Sequence, residues 1–327
     1  MRKQDKKRRS GDQKESTQET NNFLLNKELA LGSFFINVFI GTVIGLSVEI
    51  LPNLYLEPYR RGFYCNDSSI QLPYKSSTIP TSALFIAIFL LPFLGIVITE
   101  IWRWRYCREI YSWRSYNFNQ ILVNCFKYNA YNLLGIVLAL LLTVSTKFIV
   151  GELRPVFLDI CNPSYDSSYC LNHTYILNYK CRGNNYDQTV KEARLSFFSG
   201  HASLSMTSAI FFMIYIQSRI PRRGLAIVAK PLVQLFALGL ALYTGYTRII
   251  DGMHHLHDVI VGYVVGVLLG YITAKYIAGL STKADRMRPN EMELQKIEYP
   301  LTSSDENVPA YKASVVRVEP TKLRLFH

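Results

Sequence analysis

Six stretches of the chain are apolar over the roughly 20 residues that a helix needs to cross a bilayer core, and this restricts the fold more than any other feature. They run over residues 30–52, 82–102, 131–150, 202–218, 231–247 and 259–280. In hydrocarbon each backbone N–H and C=O must be satisfied within its own segment, so runs of this length predict helices. Six of them predict an all-α polytopic membrane protein, a bundle of six transmembrane helices. A mean hydropathy of only +0.10 reflects charged ends that dilute the spans. The first span follows a long polar segment and exceeds the apolar region of a signal peptide, so it is expected to remain as an anchor.

The formal net charge is +12. Nucleic-acid binding is not expected from it, because the basic residues flank hydrophobic spans instead of lining one soluble module. They orient the protein. The leader carries Arg2, Lys3, Lys6, Lys7, Arg8 and Arg9; the connection after the second span carries Arg103, Arg105, Arg108, Arg114 and Lys127; the connection after the fourth carries Arg219, Arg222, Arg223 and Lys230. Six crossings put these three segments on one side, the cytoplasm, and put connections 53–81, 151–201 and 248–258 outside or in a lumen. Cys65, Cys161, Cys170 and Cys181 then fall on the oxidising side, where disulfides form in a pairing that sequence leaves open. The sequons at Asn66 and Asn172 lie on that side too, Asn172 being the better glycosylation candidate.

Residues 1–27 lack apolar periodicity and read as a disordered cytoplasmic leader, 28–280 as one membrane domain, and 281–327 as a cytoplasmic tail. Gly262, Gly266 and Gly270 recur every four residues, a small-residue stripe along which another helix can approach. Glu49 and Glu100 are expected to be interfacial.

Ionisable residues at membrane depth are costly and call for a functional explanation. Three clusters qualify. In "KFIVGELRP", Lys147 and Arg154 share one helical face if the helix continues to Pro155, which is expected to stop it. "SGH" places Ser199, Gly200 and His201 at the start of the fourth span. "TRIIDGMHHLHD" holds Arg248, His254 and Asp258, the last two being i,i+4 neighbours in which a carboxylate can hold an imidazole. Span parity brings all three clusters to one membrane face. Three cations, a hydroxyl, N–H groups at a helix start and two histidines together form a phosphate site with acid/base chemistry. Metal binding by "HHLH" is not expected, because no well-spaced set of carboxylate or cysteine ligands accompanies it. His255 and His257 read as supporting or interfacial residues. Glu152 and Asp159 are expected to balance Arg154 or solvate the loop, and Asp251 is similarly ambiguous.

At these residues the chain resembles the type 2 phosphatidic acid phosphatase superfamily, more narrowly the animal phospholipid (lipid phosphate) phosphatases. The family motifs Lys-x6-Arg-Pro, Ser-Gly-His and Arg-x5-His-x3-Asp appear as Lys147 to Pro155, Ser199 to His201 and Arg248 to Asp258, and the likeness extends over about residues 28–280. It includes "PYRRGFYCNDSSIQLPYK" and "YKCRGN". Phe198 stands where the wider superfamily has Pro, Thr247 where Ser is common, and Leu256-His257 where animal members often have Trp-Ser.

The resemblance implies a phosphomonoesterase that needs no metal or other cofactor. His254 would attack phosphorus to form a phosphohistidine, oriented by Asp258. His201 would protonate the leaving alkoxide and then activate water, while Lys147, Arg154, Ser199, Gly200 and Arg248 hold the phosphoryl oxygens. Implied substrates are phosphatidate, lysophosphatidate, sphingosine 1-phosphate and ceramide 1-phosphate. Implied surroundings are membrane lipids, the plasma membrane or internal membranes with the site lumenal, and a homo-oligomer, since family members can self-associate. The alternatives are a noncatalytic lipid-phosphate-binding or scaffolding protein, a phosphatase for soluble or polyprenyl phosphates, and a transporter, although no broken-helix pairs in matching halves point to the last.

Overall fold

The computed structural model describes residues 24–28, 31–105, 108–113, 116–164, 174–182, 188–220 and 224–280. Its long helices are α1 (Leu31–Tyr55), α2 (Thr81–Trp104), α3 (Gln120–Val150), α6 (Gly200–Arg219), α7 (Ala226–Ile250) and α8 (Leu256–Ile272). The last runs on through a π-type turn over Thr273–Ile277. Short helices α4 (Phe157–Cys161) and α5 (Gln188–Ala193) lie between α3 and α6. Four of the long helices, α2, α3, α7 and the α8 unit, are long and apolar enough to cross a membrane. The chain is a multi-pass membrane protein.

Among the described residues, short strands lie between the long helices and ahead of the first. β1 (Leu24–Glu28) pairs in parallel with β2 (Arg108–Trp113), which pairs antiparallel with β3 (Tyr116–Phe118). β1 straddles the boundary that the sequence reading places at residue 27, and residues 1–23 of the leader lie outside the described residues. β4 (Pro163–Ser164) pairs antiparallel with β5 (Lys180–Cys181).

The bundle is organised around its most polar helix. α6 buries Ser203, Ser205, Thr207 and Ser208 and packs against α2, α3, α7 and α8. Lipid offers no hydrophobic incentive for helices to associate, so close backbone approach and hydrogen bonding hold them together. The α8 stripe achieves that approach. A Cβ built on Gly262, Gly266 or Gly270 would lie 2.7, 2.6 and 2.6 Å from the carbonyl oxygens of Ser199, Ser203 and Thr207. The Ser203 hydroxyl of α6 meets Thr143 Oγ1 of α3 at 3.0 Å. α7 is the inverse case: Leu232, Leu235 and Phe236 stand exposed, as a lipid-facing surface requires.

α3 begins eleven residues before the apolar run from which it was anticipated. Its first turns carry polar residues that the fold satisfies internally: Asn119 caps the helix by accepting from the Ile121 N–H at 2.8 Å, and buried Asn124 donates to Glu100 at 2.9 Å. Glu100 is not interfacial. It is fully buried and takes two hydrogen bonds from Arg219, at 2.9 and 3.1 Å.

At the opposite end of the bundle a small cap covers the helix ends. Phe63, Phe157 and Tyr179 meet edge-on with ring centroids 5.3–5.9 Å apart, and Phe63 bridges Ile176 across the two connections. A disulfide joins Cys161 to Cys181 and another engages Cys65. Cys170, Asn172 and the tail 281–327 lie outside the described residues, whereas Asn66 is exposed in the cap.

Candidate active site

All three polar clusters reach this capped end. α3 delivers Lys147 in its last turn, α6 opens with Ser199 as its N-cap, α7 closes on Arg248, and α8 starts just after His254. The expected routes are corrected in two places. α3 stops at Val150, before Pro155, because Gly151 turns into the left-handed region at φ 57° and donates its N–H to Lys147 O at 3.0 Å. A side chain at 151 would meet Tyr59 O at 2.1 Å, so only glycine fits the turn. Arg154 thus leaves the helix and is positioned by its own N–H bonding Ala193 O at 2.8 Å. Similarly, His254 precedes α8, and Asp258 reaches it from the first turn of that helix.

Asp258 is the structural centre. Its Oδ2 accepts from the Ser196 hydroxyl at 2.6 Å and from the His255 N–H at 2.9 Å. His254 Nδ1 lies 3.5 Å from the same oxygen and 3.4 Å from Ser196 Oγ. With Nδ1 facing this pair, Nε2 is the nitrogen left for chemistry. Burial, followed by the charges of Lys147 and Arg154, pulls the His254 imidazole down to about 3 against the opposing hydrogen bond with Asp258. At neutral pH it is therefore an uncharged, nucleophilic ring.

His201 is fixed from the first connection, its Nε2 lying 3.2 Å from Ile79 O. Arg248, Lys147 and Arg154 all act electrostatically on it, and two of them, Lys147 and Arg154, act on His254 as well. Burial depresses the Arg154 guanidinium below its ordinary value, with Glu192 opposing and Arg248 reinforcing the effect; arginine nonetheless keeps its charge. Arg248 donates to Asp251 at 3.0 Å and to Ser77 at 3.2 Å.

Each motif also supplies a buried donor without a hydrogen-bond partner among the described residues: Arg154 Nε, Ser199 Oγ and Arg248 Nε. Native interiors rarely leave such groups unmatched. Three orphaned donors drawn from three separate segments are what an oxyanion with several acceptor atoms would satisfy. Gly200, predicted with them, sits where a Cβ would meet Thr143 Cγ2 at 3.3 Å, so its backbone stays close to α3.

Ser196 escaped sequence reasoning, and the partners of Asp251, Glu152 and Asp159 were not legible in it. Ser196, three residues ahead of Ser199, steadies Asp258. Asp251 is no surface acid: it holds Arg248 and accepts from both the N–H and the hydroxyl of Thr78 at 2.7 Å, clamping the 71–80 segment over the pocket. Glu152 does not balance Arg154 but meets His257 Nε2 at 2.9 Å, while Asp159 accepts from the Tyr74 N–H at 2.8 Å. For His255, burial works against protonation, yet its bond to Asp258 and the charges of Asp258 and Glu152 prevail and raise it.

The pattern of the PAP2 superfamily matches residues 130–281, which span all three clusters. The chain is 38% identical over 240 residues to phospholipid phosphatase 2 of Homo sapiens, covering 72% of this chain and 81% of that protein. It is 36% identical over 229 residues to the Mus musculus phospholipid phosphatase 2, with 70% and 80% covered. Identity to the Mus musculus phospholipid phosphatase 1 is 35% over 234 residues, with 72% and 80% covered. No solved structure matches the chain.

Proposed function

This chain belongs to the PAP2 superfamily, and from that premise we propose that it is an integral membrane lipid phosphate phosphatase working through a phosphohistidine. The observation that carries the reading is the convergence of Arg154 Nε, Ser199 Oγ and Arg248 Nε, all buried and unmatched, beside a neutral His254.

The phosphoryl group of the substrate sits among Lys147, Arg154, Arg248, the Ser199 hydroxyl and the backbone at Gly200. His254 Nε2 attacks phosphorus in line as the ester P–O bond breaks. His201, which takes up a proton as the anionic phosphoryl group enters and offsets the surrounding cations, gives it to the departing lipid alkoxide, and the lipid alcohol leaves. His201, now neutral, takes a proton from water; the resulting hydroxide attacks phosphorus, the P–N bond breaks, and phosphate and neutral His254 are regenerated. Asp258 stabilises the positive charge on the His254 ring in the covalent intermediate, held in place by Ser196. The fixed cations stabilise charge on the equatorial oxygens of the transition state. No step calls for a metal.

The membrane domain spans 28–280 with six crossings, α1 and α6 joining the four strongly apolar helices. Basic segments 1–9, 103–127 and 219–230 lie on the cytoplasmic side, which puts the site at the extracellular or lumenal face, with glycan on Asn172 or exposed Asn66. There a phosphate headgroup enters the pocket while its chains stay in lipid. Phosphatidate, lysophosphatidate, sphingosine 1-phosphate and ceramide 1-phosphate fit this geometry, and the plasma membrane is the expected setting, with the protein self-associating.

Purified protein in mixed micelles with phosphatidate and excess chelator tests the reading. Phosphate release is expected, abolished in His254→Ala and nearly so in His201→Ala, with acid-labile phosphate recovered on the wild-type protein. Turnover in a well-folded His254→Ala variant would overturn the mechanism.

A further inference from the structure

Beside the pocket, Glu152, His255, His257 and Asp258 each offer one donor atom, and the four atoms lie within 4.8 Å of one another. Their spacing is that of ligands around one small ion. Zinc at about 2.0–2.2 Å from imidazole nitrogen and carboxylate oxygen places neighbouring ligands roughly 3.3 Å apart. Here His257 Nε2 stands 3.2 Å from Asp258 Oδ1 and 2.9 Å from Glu152 Oε1, and His255 Nδ1 stands 3.9 Å from the same glutamate oxygen.

An independent observation points to a ligand. Asp258 is fully buried, yet its Oδ1 has no hydrogen-bond partner among the described residues, although Oδ2 accepts several. The oxygen faces the cluster, close to His257. His255 Nδ1 is likewise buried, 3.4 Å from Asp258 Oδ2 and 3.9 Å from Glu152 Oε1, without a well-aligned hydrogen bond to either. The site is open on its outer side, because the His257 side chain is 56% exposed. Glu152 is held in place through its carbonyl, which accepts from the Ser196 N–H at 2.9 Å.

We propose that Glu152, His255, His257 and Asp258 form a regulatory site for a zinc-like divalent cation, whose binding inhibits the enzyme. Two imidazoles favour zinc over calcium or magnesium, which prefer oxygen ligands. Two carboxylates neutralise the ion. The effect on chemistry follows from the two oxygens of Asp258. A cation on Oδ1 withdraws the negative charge that Oδ2 presents to the His254 imidazole, so the covalent intermediate loses stabilisation. The metal therefore opposes the reaction without occupying the phosphate pocket. Binding rests on these four donors alone, whereas the inhibition rests on the phosphohistidine reading.

The full chain, purified in detergent and stripped of metal, is titrated with cobalt(II) and zinc(II). One equivalent of cobalt is expected to give the intense visible bands of a four-coordinate site, displaced by zinc. His257→Ser and Glu152→Gln are expected to weaken zinc binding by at least roughly tenfold. In phosphatidate micelles zinc should lower kcat with little change in KM, and chelator should restore it. His257→Ser should keep its basal turnover and resist zinc. Absence of the cobalt spectrum, or equal zinc affinity in both variants, would overturn the site. Binding that leaves kcat unchanged would overturn the inhibition. Failure of turnover in metal-free protein counts against the reaction itself, and the cobalt spectrum decides the site regardless.

Discussion

Ser199 donates its backbone N–H to the carbonyl oxygen of Asp258 at 3.1 Å, tying the start of α6 to the first turn of α8. Two motifs far apart in sequence are thereby held in one register. The bond depends on the close approach permitted at Gly262, where a Cβ would fall 2.7 Å from Ser199 O and 3.0 Å from Ala202 Cβ. Gly262→Val should force the two helices apart at the site. Overpacking of this kind costs about 1–3 kcal/mol; the expected result is a lower thermal midpoint in detergent and a loss of kcat exceeding the loss of folded protein. Gly239, where a Cβ meets nothing within 4 Å, is the control: Gly239→Ala should change neither.

Ser196 tests how much orientation matters. Its hydroxyl donates to Asp258 Oδ2 at 2.6 Å and also borders His254 Nδ1. A hydrogen bond to a charged group contributes about 1.5–3 kcal/mol, so Ser196→Ala should lower kcat by roughly 10- to 100-fold. KM should hardly move, because the hydroxyl acts through Asp258 and not on substrate. Steady-state kinetics with a phosphatidate series checks the split, and restoration by Ser196→Thr would separate lost hydrogen bonding from lost fold.

Asp251 predicts a different signature. It anchors Thr78 and Arg248 together, and through that segment Ile79 fixes His201. Asp251→Ala should free residues 71–80, raise KM and expose the peptide bond after Lys75 to trypsin. Cleavage is measured on sealed vesicles with the capped face outward. An uncleaved Asp251→Ala protein with normal KM would show that the clamp does not shape the pocket.

The parts of the site that could be read in the sequence are those whose chemistry is anomalous where they stand. Lys147, Arg154 and Arg248 are charges at helix ends in apolar sequence, and His254 and Asp258 are close enough along the chain to suggest contact. The backbone path between them was less legible. Gly151 ends α3 early through a left-handed turn imposed by the approach of Tyr59, a tertiary contact that local pattern does not contain. Glu152 and Asp251 look like ordinary loop acids until folding supplies their partners. The same holds for α3, whose start was hidden because Asn124 and Lys127 interrupt an apolar count that buried hydrogen bonds make irrelevant. α6 was readable as a helix, but its serines are buried against neighbours and give it the centre of the bundle.

The buried network at the other end supplies the last prediction. Arg219 lies within a cage of Glu100, which accepts from it twice, and Glu109 at 3.8 Å, with its guanidinium carbon 5.1 Å from the Tyr128 ring centroid. Tyr215 donates to Glu100 at 2.7 Å, and Arg103 donates to Glu109 at 2.9 Å. Two carboxylates thus face two guanidinium groups without net charge. Removing one member leaves its partner buried without its main counter-charge, a loss of about 3–5 kcal/mol, whereas replacing both with apolar residues of similar volume is far less costly. Glu100→Leu and Arg219→Met should each lower the thermal midpoint strongly, and the double variant should recover most of the loss. Activity of whatever remains folded should be near normal at low temperature, since the network lies at the end of the bundle away from His254. An additive double variant would mean that the two residues do not depend on each other, and selective loss of kcat would mean that strain at this end reaches the phosphate pocket through α6.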